Sequence, residues 1–257
     1  MDEQSLRPFP YDGAAVRAVV TTRDGGVSAG VYGTLNLGDH VGDDPAAVLR
    51  NRDLVAAALG VPALTVADQQ HGARVAVVTP ALAGLGHAGV EASREHFPAT
   101  DALVTDVAGA ALAILVADCA PVLLWDPIRR AVGAAHAGRP GVVRGVLAAT
   151  VARMVDAFGT DPADLVAGVG PCVGYDSYEV GDAEADALDA VLPGFTRASR
   201  PGHRFLDVGG AVERQLRDAG VGVVHRMGVD TRTSTDTFFS DRAARPCGRF
   251  MAVTVVR

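Results

Sequence analysis

Apolar positions along the 257-residue chain fall into two periodicities separated by polar, glycine-rich intervals. Short apolar or alternating blocks at 15–21, 74–79, 102–105, 164–169, 221–227 and 249–256 predict strands. Helical spacing predicts a helix that opens with Asp44 as N-cap and Pro45 at its first position, buries Val48, Leu54, Val55 and Leu59, and stops at Gly60. The same spacing in Val142, Val146, Thr150, Met154 and Val155 predicts a helix as far as Phe158, ended by Gly159. Two further helices are predicted at about 182–192 and 207–219. Residues 22–43 and 80–100 read as long mobile stretches, and 170–181 and 229–242 as irregular loops.

The densest apolar stretch is 108–138, AGAALAILVADCAPVLLWDPIRRAVGAAHAG. Two strand-like runs, broken at residues 118–121 and turned at Asp126-Pro127, predict a hairpin buried on both faces. Direct strand-to-strand steps are mixed with helical crossovers. The expected fold is therefore α/β (α+β), one domain over 1–257 with mixed sheets flanked by helices, and with 1–14 as a flexible N-terminal extension. No glycine-rich dinucleotide or phosphate-loop motif follows a strand.

Composition narrows the partners. A net charge of −7 without basic stripes argues against nucleic acid and anionic membranes, and no apolar run is long enough to span a bilayer. The expected partners are small molecules. A monomer is favoured, although nothing in the sequence reports the oligomeric state. Cys119, Cys172 and Cys247 are an odd set at unrelated spacings, which fits free thiols in a reducing, cytoplasmic compartment. All 23 basic residues are arginine. The absence of lysine excludes Schiff-base and pyridoxal-phosphate chemistry and the phosphate-loop lysine, and leaves any anion to arginine.

The candidate chemistry lies where strands meet loops. Cys119 follows Asp118 at the break in the apolar stretch, His136 sits at a strand-to-helix turn before Gly138, and Gln70-His71-Gly72 precedes another strand. Two imidazoles and a thiolate suit a three-ligand zinc site with an open fourth position, and their wide separation along the chain is unlike a structural zinc finger. Asp118 would then support a ligand or cap the turn. The same residues also fit a thiol nucleophile, Cys119, with His136 or His71 as its base. His87, His96, His203 and His225 read as surface residues, and Cys172 and Cys247 as structural.

The segments TTRDGGVS, LNLGDHVGDD, QQHG, TDALVT, ADCAPVLLWDP, AAHAG, GVGPCVG, YEVG, FFSDR and GRFM, in this order, resemble the YfiH/YlmD family, also described as multicopper polyphenol oxidases or laccase-domain proteins. The resemblance runs from about residue 15 to the last residues. It implies a fold akin to a group of cysteine hydrolases (CNF/YfiH-like). The implied activity is purine nucleoside phosphorolysis of adenosine, inosine, guanosine and methylthioadenosine, with adenosine deamination also attributed to members. It places a catalytic zinc on His71, Cys119 and His136, and makes nucleoside and phosphate the partners.

Many members read HAGWRG where this chain has HAGRPG, so Arg139 and Pro140 replace the usual pair. Asn36, Arg52, Arg139 and Arg242 are the expected phosphate or ribose contacts, from charge and motif position. The alternatives are copper-dependent polyphenol oxidation, a thiol hydrolase built on Cys119, and a metal-binding module without catalysis. Against copper, seven histidines with few well placed are too few for a multicopper centre.

Overall fold

A computed structural model describes residues 5–257. Leu6–Pro8 (β1), Val16–Thr21 (β2), Phe250–Val256 (β14), Ala111–Val116 (β6) and Leu64–Val66 (β3) form one sheet in that spatial order. Val223–Arg226 (β13), Val166–Val169 (β9), Ala120–Asp126 (β7), Ala131–Ala137 (β8), Ala102–Thr105 (β5) and Val75–Val77 (β4) form a second. Both are mixed: β3 runs parallel to β6, β13 to β9 and β4 to β5, while the other neighbours are antiparallel. A small third sheet joins Glu179–Gly181 (β10), His203–Leu206 (β12) and Thr196–Ala198 (β11).

Strand periodicity explains the layering. In β6, Leu112, Ile114 and Val116 meet Leu123, Trp125, Val132 and Ala134 of the second sheet, while Ala111, Ala113 and Leu115 face the other way. That outer face is covered by Val55, Ala56 and Leu59 of Pro45–Leu59 (α1). In β7 the partition repeats. Leu123 and Trp125 point to the first sheet, and Val122 and Leu124 point to a core shared with Val146–Phe158 (α4) and Val208–Asp218 (α6). The result is a single mixed α/β domain of four layers, helix, sheet, sheet, helix. Both sheets are covered on both faces, which is why their strands read as continuous apolar runs rather than alternating ones.

Local signals behave as expected at α1. The Asp44 carboxylate accepts from the Ala46 amide, Pro45 is its first residue, and Gly60 ends it at φ 71°. Asp126 also makes the predicted turn, accepting from the Ile128 and Arg129 amides, so β7 and β8 are a hairpin.

Elsewhere the structure corrects the pattern. The first apolar run, β6, belongs to the other sheet, so the chain crosses between sheets at residues 117–119. The helix expected from 142 to 158 is broken by Gly145, at φ 79°, into Arg139–Val143 (α3) and α4. Residues 80–100 are not a mobile stretch: they contain Val90–His96 (α2), and Phe97 is 1% exposed. Part of the extension expected over 1–14 lies outside the described residues. From Leu6 onward it pairs antiparallel with β2 and buries Phe9.

Candidate metal centre

Strand register assembles the site. The β7–β8 ladder pairs Ala120 with Ala137, so Cys119 and Gly138, one step beyond, face each other. The β5–β8 ladder pairs Ala102 with Ala135, which sets Asp101 beside His136, and the His136 amide donates to the Asp101 carbonyl at 2.8 Å. His71 comes from the loop before β4, in the left-handed region at φ 57°. That conformation is held by Asp101, whose buried carboxylate accepts from the amides of Gln70, His71 and Gly72 at 3.2, 2.8 and 2.7 Å. Arg144 donates to the His71 carbonyl.

The three donors converge. One ligand atom from each of His71, Cys119 and His136 lies within 4.8 Å of the others, and Cys119 Sγ is 3.7 Å from His71 Nε2. Two such donors sharing one tetrahedral zinc stand about 3.6 Å apart. The donor set therefore fits such an ion. His136 Nδ1 is 2.9 Å from Asp101 Oδ1, which turns Nε2 toward the thiol, the arrangement in which a carboxylate orients a ligating imidazole.

Gly138 is required by this geometry. A Cβ there would stand 2.7 Å from Cys119 Sγ and 2.8 Å from His71 Cδ2. Gly138→Ala is expected to weaken metal binding by about 10–100-fold, the scale seen when the support of a ligand is disturbed. Competition with a chromogenic chelator measures it, and an unchanged affinity would overturn this reading of the clash.

Charge follows from proximity. Burial alone would raise the Cys119 thiol, but His136 and His71 bring it down to about 6. Burial likewise opposes the His136 cation, yet Cys119 and Asp101 raise it to about 9. In metal-free protein, Cys119 alkylation by iodoacetamide should rise through pH about 6 instead of the ordinary 9.0. Cys172 and Cys247, buried and shifted upward, stay slow.

The donors open into a cavity of about 610 Å³. Its wall includes Arg52, Arg94, Arg242, Arg245 and Arg249, together with Gln69, His40 and Tyr178. Most of these arginines are already paired: Arg52 with Asp39, Arg94 with Asp68, and Arg245 and Arg249 with Asp241. Among the described residues Arg242 makes no ion pair, and its guanidinium lies 5.0 Å from the Tyr178 ring centroid. A site of this size with fixed cations suits a small anionic or polar ligand.

A family model described as multi-copper polyphenol oxidoreductase laccase matches residues 17–257. The chain belongs to this family. YlmD from Geobacillus stearothermophilus superposes with a TM-score of 0.93 at 32% identity, covering 100% of this chain and 98% of that one. YfiH from Bacillus licheniformis gives 0.88 at 32% identity over 94% and 93%. A Streptomyces griseus protein named purine nucleoside phosphorylase ORF3 is 46% identical over 245 residues, 95% of each chain. A Streptomyces coelicolor protein named purine nucleoside phosphorylase SCO2081 is 47% identical over 231 residues, 89% of this chain and 90% of its own.

Within this YfiH/YlmD family member, the expected contact residues divide. Arg242 lines the cavity. Arg52 does so too, but its guanidinium is committed to the carbonyls of Leu37, Gly86 and His87 and to Asp39. Asn36 is fully buried, with its amide spent on Gly38, Asp43 and the Arg249 amide. Arg139 begins α3 and lines a neighbouring recess with Tyr178 and Arg242.

The Asp118 side chain makes no hydrogen bond to a ligating side chain. Its carboxylate accepts from Thr231, Ser240 and the Arg242 amide. His87 is no free surface residue, because its ring accepts from the Leu64 amide and meets Asp53. Two residues of the site, the buried Asp101 beneath the ligands and His40 in the cavity wall, had no readable signal of their own. Asp101 lies just before a short apolar run, and His40 in a glycine-rich loop.

Proposed function

We propose that this protein is a zinc-dependent purine nucleoside phosphorylase acting on adenosine, inosine, guanosine and methylthioadenosine. The observation that carries the reading is the His71, Cys119, His136 donor set opening into an arginine-lined cavity, in a chain whose curated relatives bear that name. His71, Cys119 and His136 would hold the ion. When bound, zinc supplies a fixed positive charge that polarises an oxygen ligand and lowers the pKa of coordinated water toward about 7.

The chain's own residues do the rest. Arg242, which alone of the cavity's five arginines has no carboxylate partner among the described residues, takes the phosphate charge, and its fork can hold two oxygens at once. Tyr178 keeps the guanidinium in place and excludes water from one side. Asp101 holds the His136 ring and the His71 backbone so that neither donor must reorganise during turnover. Free Cys119, Cys172 and Cys247 accord with a cytoplasmic setting. No helix among the described residues is long and apolar enough to cross a membrane.

Purified protein incubated with each nucleoside, with and without phosphate and a chelator, tests the reading by chromatography. Phosphate-dependent release of free base that the chelator stops is expected. Adenosine converted to inosine without phosphate would add deamination to the same centre. A second reading has its own observation, the Cys119 thiol lowered to about 6 beside two imidazoles, and predicts a thiol hydrolase that survives chelation. Copper-dependent phenol oxidation predicts copper by metal analysis, and the described residues offer a single three-donor group for it. A binding module without catalysis predicts bound metal and no product.

A further inference from the structure

Asp118 joins the metal donors to the cavity's arginines. It is 9% exposed and sits in the left-handed region at φ 85°, which strains a residue with a Cβ. Its carboxylate is fully used: Oδ1 accepts from the hydroxyls of Thr231 and Ser240, each at 2.6 Å, and Oδ2 accepts from the Arg242 amide at 2.6 Å. All three donors belong to one loop. The Asp118 carbonyl accepts from the Val173 amide at 2.9 Å, tying in the segment that carries Tyr178. The next residue in the chain is Cys119.

A buried carboxylate and a left-handed backbone both cost free energy, and three short hydrogen bonds offset them only while the loop stays docked. Arg242 is thereby gripped twice, at its amide by Asp118 and at its guanidinium by Tyr178. Asp118 cannot shift without moving both Cys119 and that amide.

We propose that Asp118 is a positioning residue that fixes the anion-binding Arg242 in register with the Cys119 donor, so that thiolate and phosphate site are set by one side chain. This rests on the phosphorolysis reading above. Asn is nearly the same shape but neutral, with one acceptor oxygen where the carboxylate has two, so the three charge-assisted bonds to the two hydroxyls and the Arg242 amide cannot all be kept.

In the zinc-loaded enzyme, Asp118→Asn should raise the phosphate KM about tenfold, the scale of one lost charge-assisted hydrogen bond, with kcat within about threefold. Metal content should stay at the wild-type level, and amide exchange at residues 240–243 should quicken. Arg242→Ala should raise the same KM, and the double variant should be no worse than the weaker single, because one acts through the other. Ser240→Ala, a milder cut in the same network, should shift the KM in the same direction and guards against misfolding of Asp118→Asn.

An unchanged phosphate KM in both Asp118→Asn and Ser240→Ala, or effects of Asp118 and Arg242 that multiply, overturns the positioning role. So does a loss of metal and kcat together with KM unmoved. Wild-type protein that neither cleaves inosine nor binds inorganic phosphate by calorimetry overturns the phosphorolysis reading itself, and the assignment of Arg242 with it. Normal wild-type turnover with a null result in the variants overturns the positioning role alone.

Discussion

Cys119→Ala is expected to yield a folded protein that holds no stoichiometric metal and to lose the proposed phosphorolysis by about a thousandfold or more, as several kcal/mol of charge stabilisation vanish. The reason is the donor count. Removing Sγ leaves two imidazoles, one donor short of the three-ligand set that holds a catalytic zinc. Stability should change little, because Cys119 is only partly buried and the change deletes a single heavy atom, worth about 1 kcal/mol. Metal analysis beside a nucleoside assay decides the matter. A variant that retained one equivalent of metal, or the wild-type rate, would remove Cys119 from the centre.

The second large effect belongs to Asp101→Asn. The native carboxylate is fully buried and serves four donors: three consecutive amides at 70–72 and the His136 ring. Those hydrogen bonds, with the His136 and Gly72 contributions foremost, hold the Asp101 acid below its usual range against the opposing effect of burial. An amide nitrogen in place of one oxygen faces N–H groups that need an acceptor. Metal affinity should fall about 10–100-fold, and the unpaired donors should cost about 1–3 kcal/mol of stability. Chelator competition and thermal melting read the two losses separately. A drop in melting temperature with unaltered metal affinity would mean that Asp101 supports the loop but not the ligands.

Because the lowered acid favours the folded state, this contribution is present above the carboxyl group's unfolded pKa and fades as pH falls through its folded value. Acid should therefore loosen the 70–72 loop in metal-free protein.

How much of this was readable in the chain differs from feature to feature. The helix at Pro45–Leu59 announced itself because its cap, first proline and terminal glycine are local signals. Except for β1, within the expected flexible extension, and the three-residue β3, the strands of the two large sheets were also visible as apolar runs. Their assignment to sheets was not, since a run buried on both faces carries no mark of which neighbour covers it, and so β6 was grouped with β7. Short strands such as β10, β11 and β12 lack enough residues for a periodicity. At the site, His71, Cys119 and His136 stood out by residue type and by placement at strand ends. The carboxylate that organises them did not, because Asp101 acts through register: it reaches His136 only once β5 and β8 are paired. Asn36 and Arg52 carried polar groups that looked available and are consumed by backbone carbonyls and half-buried acids.

The position of β14 has a consequence for biosynthesis. Phe250–Val256 lies between β2 and β6, so the first sheet has no centre until that segment is in place. A ribosome-bound chain has already made all three ligands when residue 136 appears, yet β6, the strand leading into Cys119, has only its parallel neighbour β3 and still lacks the antiparallel β14. A nascent chain stalled before β14 is therefore expected to expose its Cys119 thiol to alkylating reagents and to hold metal less tightly than the complete domain. Such long-range pairing also marks a slow-folding topology.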